Sequence, residues 1–220
     1  MPEMNHPGIL ALFQKRVEGD DALLNLAGQR FSEAGLGAEF YADTPDELEA
    51  LLGFLRSAEN PSIVHLSRSI ALLTEKSRIL ITDFAGRFRQ RLTGMVIHDE
   101  PEMATRPDEY LAAVKDMGKR LEWIDCRPRL FIEYASFLDI PVFIDFFRRI
   151  RDIEHISACI DIGHIGIKQA RDTYSLKHRG KDVCDINPSD PGLSDVISDI
   201  QDAAASALPA VLDVIKELGK

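Results

Sequence analysis

Short apolar runs alternate with longer stretches of helical period along this chain. The clearest instance is Arg129–Gly166, which reads RLFIEYASFLDIPVFIDFFRRIRDIEHISACIDIGHIG. Leu130–Tyr134 is an apolar run that carries Glu133 near its end. Asp139 is a good helix N-cap, and Pro141 falls in the first turn, where a missing N–H does no harm. Val142, Phe143, Phe146, Phe147 and Ile150 then follow helical spacing. Ile156–Ile160 is a second apolar run, and it opens into Asp161-Ile162-Gly163-His164. The segment predicts strand, helix, strand. Continuous apolar strands are those covered on both faces, as in parallel sheets built from βαβ units.

The same alternation extends toward the N-terminus. Gly8–Gln14 reads as a short strand or a helix start. Asp20 or Asp21 caps a predicted helix to about Ala34, ended by Gly35 and Gly37. Ala38–Ala42 is a strand. Thr44-Pro45-Asp46-Glu47 is a capping box with proline at the first helical position, leading a helix through Leu48, Leu51, Leu52 and Leu55. Asn60-Pro61 turns the chain into the strand Ser62–Leu66. A long amphipathic helix is predicted over Ala71–Leu92, with Leu80, Phe84, Phe88 and Leu92 on one face. Met95–His98 is a strand that opens into the acidic loop Asp99–Glu102, and a helix over Pro107–Trp123 follows.

Strand ends therefore fall near residues 41, 66, 98, 134 and 161, with an earlier one near 13. That interval is the length of one strand–helix unit in a parallel α/β fold. An open doubly wound sheet and a barrel both fit the rhythm, but the absence of a G-x-G-x-x-G or Walker loop disfavours a nucleotide-binding open sheet. After His164 the pattern changes. Ile165–Leu176 reads as helical, His178–Pro191 as turn-rich, and a last helix from about Ser194 is expected to kink or restart at Pro209. The expectation is one domain over residues 1–220, a TIM-barrel-like parallel (β/α) fold that lacks its last one or two strands, since a complete barrel takes roughly 250 residues.

Composition narrows the function classes. The net charge of -10 argues against nucleic acid as a partner, because phosphate binding needs clustered Lys and Arg. Arg87, Arg89 and Arg91 form a local basic run, more simply read as a solvated helix face. No signal peptide and no membrane-length apolar run is present, so no membrane partner is expected. Cys126, Cys159 and Cys184 are odd in number and far apart, neither a disulfide framework nor a zinc spacing, which fits a cytoplasmic protein. Cys159 is expected in the core, and Trp123 and Tyr134 as packing residues.

The chemistry gathers at strand ends. His65, His98, Glu133, Asp161 and His164 each fall at the end of a predicted strand or just past it. Parallel adjacent strands would deliver them to one face, where α/β barrels carry their active sites. Imidazole with carboxylate suits Zn²⁺ or Mn²⁺, and carboxylates alone suit Mg²⁺. The plainer alternatives are hydrogen-bonded structural histidines, an Asp161 that caps the following turn, and a solvated acidic loop at Asp99–Glu102. Glu133 is the hardest to explain structurally, since an unpaired buried carboxylate is expensive.

The series IVHLS, MVIHDE, LFIEYAS and ACIDIGHIG resembles the xylose-isomerase-like TIM-barrel superfamily, over roughly residues 38–167. That superfamily includes sugar and sugar-phosphate isomerases and epimerases, and the family 2 AP endonucleases. The resemblance implies that Glu133, Asp161 and His164 are metal ligands, with His98 and His65 added in the endonuclease-like members. It also implies a small-molecule sugar or sugar phosphate as partner, and allows a homo-oligomer. The chain departs from the family after Leu193, where the later His, the Asp/His pair and the final strand-end Glu have no counterparts. Three readings follow. The first is a divalent-metal-dependent isomerase or epimerase with Glu133 as catalytic base. The second is an AP-endonuclease-like phosphodiesterase. The third is a degenerate barrel that acts by binding alone.

Overall fold

The computed structural model describes residues 10–12, 19–55, 62–124, 128–187, 189 and 191–219. Cys126 and the Asn60-Pro61 turn lie outside the described residues, and segment 8–14 is described only where it forms a strand. The fold is parallel α/β. Among the described residues six strands, β1 (Leu10–Leu12), β2 (Gly37–Tyr41), β3 (Ser62–His65), β4 (Gly94–His98), β5 (Arg129–Glu133) and β6 (Ile156–Cys159), pair in the order of the sequence. Their register advances without reversal, with Tyr41 opposite His65 and His65 opposite Val96. A doubly wound sheet needs a point where strand order reverses. None exists among the described strands.

Backbone proximity divides the chain into two compact units. The first comprises Met1–Ile97, Arg106–Ile132 and Arg151–Ser157, and the second His98–Thr105, Glu133–Ile150 and Ala158–Lys220. The last residues of β4 and β5, His98 and Glu133, thus count with the second unit.

The first unit holds most of the sheet with helices α1 (Asp21–Glu33), α2 (Pro45–Leu52), α3 (Glu75–Arg87) and α5 (Pro107–Glu122). Local chemistry fixes the helix starts. Asp20 accepts from the Leu23 N–H at 3.0 Å, and Thr44 accepts from Glu47, one half of the expected capping box. In β4, Gly94, Met95, Val96 and Ile97 are all buried, as a strand covered on both faces requires. Phe40, Leu48, Leu52, Val64, Ile81, Phe84, Val114, Met117 and Leu130 complete this core. Helix α3 is shorter than its apolar period suggests. The Thr74 hydroxyl caps it through Ser77 N–H, and the Ala71 carbonyl accepts from Thr74 N–H in a preceding turn. Helices α3 and α5 are joined at their surface by Arg120 with Glu75 and by Arg78 with Asp116. Arg87 pairs with Asp46 and Glu49, and Arg91 donates to the Leu52 carbonyl. Two of the three arginines of the basic run are therefore engaged by the chain itself. Trp123 is not a packing residue: it is 89% exposed, just past the end of α5.

The second unit contains α4 (Glu102–Thr105), α6 (Ile140–Ile150), α7 (Ile162–Lys177) and α8 (Leu193–Leu218), with a 3-10 turn at Val183–Asp185. Phe143, Phe146, Phe147 and Ile150 form the buried face of α6, at the spacing the sequence predicts. Tyr134 is buried edge-on against Phe143 and donates its hydroxyl to the Leu138 carbonyl at 2.9 Å. Helix α7 packs on α8, which continues through Pro209 instead of restarting there. Cys159, expected in the core, is half-buried. It lies on the last strand of the order, with no further strand beside it among the described residues. Among the described residues no helix is long and apolar enough to cross a membrane.

Candidate functional site

The site is built where β4, β5 and β6 end. Cys159 is the last residue of β6, and Asp161 follows as the N-cap of α7 in extended conformation. Its Oδ1 accepts the His164 backbone N–H at 2.9 Å. An N-cap side chain reaches the third helical residue in this way, so Asp-x-x-His folds the imidazole back toward the carboxylate. His164 Nδ1 then stands 3.3 Å from Asp161 Oδ2. That approach lies outside hydrogen-bond geometry, and the buried Nδ1 has no hydrogen-bond partner among the described residues. The capping role that the sequence offered as an alternative is therefore real, but it uses one carboxylate oxygen and leaves the other facing the imidazole.

Glu133, the last residue of β5, joins this pair. One ligand atom each from Glu133, Asp161 and His164 lie within 4.8 Å of one another. Glu133 is buried, and its Oε2 lies 3.5 Å from His98 Nε2 at the end of β4. Four of the five residues singled out in the sequence are thus brought together in the second unit. His65 belongs to the first unit. There its Nδ1 meets Glu39 Oε1 at 3.0 Å, and its ring stacks on Tyr41, its register partner on β2.

The donor set fits a divalent cation. Carboxylate oxygens of Glu133 and Asp161 lie within 4.8 Å of each other, and two like unit charges at that range repel by at least about 3 kcal/mol at an effective dielectric of about 20. A cation between them reverses that sign. His164 Nδ1, without a hydrogen-bond partner among the described residues, supplies a nitrogen donor at the same point. Mixed imidazole and carboxylate donors favour Zn²⁺ or Mn²⁺ over Mg²⁺.

One residue read in the sequence as part of a solvated loop proves to be structural. Asp99 is only 1% exposed. Its Oδ1 accepts from Ala135 N–H at 2.8 Å and its Oδ2 from Leu138 N–H at 3.1 Å. Burial pushes its carboxyl pKa up, and these backbone donors oppose the shift. Burial also pushes the Tyr134 phenol well above its ordinary range, reinforced by the Asp99 charge. The signal in the sequence was an acid placed directly after the apolar strand Met95–His98, where the chain has not yet left the interior. Comparison with known proteins finds no matching family model, no matching curated protein and no matching solved structure.

Proposed function

We propose that the second unit holds a divalent cation, Zn²⁺ or Mn²⁺, through Glu133, Asp161 and His164, and that the chain is a metal-dependent sugar or sugar-phosphate isomerase or epimerase. The observation that carries the reading is the convergence of two carboxylates and one imidazole within 4.8 Å at the ends of β5 and β6. The sequential order of the parallel strands is compatible with a barrel, the fold that this reading requires. A bound divalent cation would supply Lewis acidity, polarising substrate oxygens and stabilising the charge that develops on them.

The residues of the chain supply the proton chemistry. Glu133 has two oxygens, one to ligate and one to accept a proton from the carbon α to the substrate carbonyl. His98 Nε2, 3.5 Å from Glu133 Oε2, is placed to hold that proton or pass it on. An isomerisation returns the proton to the adjacent carbon while a hydroxyl proton passes from one substrate oxygen to the other, and an epimerisation takes its new proton on the opposite face of the same carbon, from a second acid or water. Neither consumes an oxidant or a second substrate.

The test pairs elemental analysis of chain purified without chelator with solvent-deuterium incorporation into a panel of aldoses, ketoses and their phosphates. Near-stoichiometric metal, and exchange that Glu133→Gln abolishes without unfolding the chain, is the expected result. Cleavage of abasic DNA in place of exchange would move the assignment to a phosphodiesterase. Absence of metal would overturn the reading.

A further inference from the structure

We infer that Asp99 is the positioning residue of this centre: it sets Glu133 and His164 in place by holding the loop between them. The inference rests on the metal reading above and deepens it. Asp99 touches the end of β5 once and the segment after it twice. Its backbone N–H donates to the Glu133 carbonyl at 2.8 Å, and its two carboxylate oxygens accept from Ala135 and Leu138. The residue that carries the candidate base is thereby tied at its own carbonyl, and the loop beyond it at two further points.

The loop then reaches the other half of the donor set. Ser136 takes a left-handed backbone conformation, φ 69°. Such a conformation costs a non-glycine residue roughly 1–3 kcal/mol and persists only where its surroundings hold it. In that conformation the Ser136 hydroxyl donates to the His164 carbonyl at 3.1 Å. His164 is therefore fixed from both sides, its N–H by Asp161 and its carbonyl by Ser136. Asp99 grips the loop on either side of Ser136, at Ala135 and Leu138, and so maintains the strained residue that bridges to α7.

Asp99→Asn is the informative variant. It keeps the shape and one acceptor oxygen but sets an NH₂ group against one of the two backbone N–H donors. Groups that orient metal ligands typically contribute 10–100-fold in affinity. Co²⁺ titration of the chelator-treated full-length chain, followed by its visible d–d absorption, reads both affinity and ligand geometry. We expect Asp99→Asn to weaken Co²⁺ at least about tenfold and to alter the band shape at saturation. Ser136→Ala should produce part of that loss, with less than additive effect in the double variant. In the metal-free chain, hydrogen exchange at the Ala135 and Leu138 amides should quicken in Asp99→Asn.

A merely structural role would lower the unfolding midpoint and leave Co²⁺ affinity and spectrum unchanged, and that result overturns the inference while the metal reading stands. Failure of the unmodified chain to bind Co²⁺ overturns the metal reading and this inference with it. Should Asp99→Asn not fold, Ser136→Ala decides alone, because it removes only the bridge to His164: unchanged affinity and spectrum then overturn the inference.

Discussion

At the N-terminal end of α7, His164 Nδ1 stands 3.3 Å from Asp161 Oδ2; at its C-terminal end, His178 Nε2 stands 3.0 Å from Asp199 Oδ2. By distance the two histidine–aspartate pairs are nearly the same. Their surroundings separate them. The C-terminal pair makes a hydrogen bond, and its ring stacks on Tyr174 at 4.0 Å. Lys177 bridges Asp199 and Asp202, so positive charge from the chain itself offsets the acids. The N-terminal pair lacks the hydrogen bond, and a further carboxylate, Glu133, lies beside it. One pair is a clasp between α7 and α8, complete as it stands. The other joins a second carboxylate to the donor set that the proposed cation would use. On that proposal, charge balance more than proximity separates a ligand cluster from a structural contact.

The strongest way to break this comparison is at Asp161. Asparagine is as good an N-cap as aspartate, whereas alanine costs about 1 kcal/mol of helix stability. Asp161→Asn should lose most of the bound metal yet keep the thermal midpoint of the metal-free chain, and Asp161→Ala should lose both. Elemental analysis beside a melting curve reads the two effects separately. Full metal retention in Asp161→Asn would reduce the residue to a cap and erase the contrast with Asp199.

A smaller effect is expected at the clasp. His178→Gln removes the stack on Tyr174 and weakens the bond to Asp199, a loss of about 1 kcal/mol. The denaturation midpoint should fall and metal content should not. Metal loss in this variant would mean that the two ends of α7 do not act separately.

The smallest effect is a matter of order in acid titration. Lys177 beside Asp199 holds that carboxyl below its ordinary value, with His178 adding to the shift against some burial. Its contribution to stability is present above the unfolded carboxyl pKa of about 4 and fades as the pH falls through the lower folded value. Asp99 is shifted the other way by burial, so its protonated form favours the folded state and the contribution is lost as pH rises through its folded value. Carboxyl-carbon NMR should show Asp99 protonating first on acidification and Asp199 much later. A reversed order would remove the electrostatic basis of the account.

The strand–helix rhythm was legible because local rules write it. Asp20, Thr44 and Asp161 each cap where an N-cap residue precedes an apolar period, and Phe143, Phe146, Phe147 and Ile150 bury where helical spacing sets them. Strand order was not legible, since periodicity says which face of a strand is buried and not which strand lies beside it. The end of β6 shows the same limit: its sequence is as apolar as β5, yet only Ile156 is fully buried, because burial there depends on a neighbour. At the site, the residues near strand ends could be named from the sequence, as Glu133, Asp161 and His164 show. Asp99 and Ser136 could not be assigned their roles. These depend on backbone donors from a loop some 35 residues away and on one backbone angle, neither of which leaves a pattern along the chain.

The sequential strand order also bears on how the chain is made. Successive strands begin about 30 residues apart, and each pairs with the one that precedes it. At the usual synthesis rate of about 5–20 residues per second, a new strand would leave the ribosome every ~2–6 s, with its single template already formed. The sheet can grow by addition at one edge, without waiting for a distant segment to arrive. Closing such short loops carries little entropic penalty, so the order in which the ribosome delivers the strands is also the order in which they can assemble.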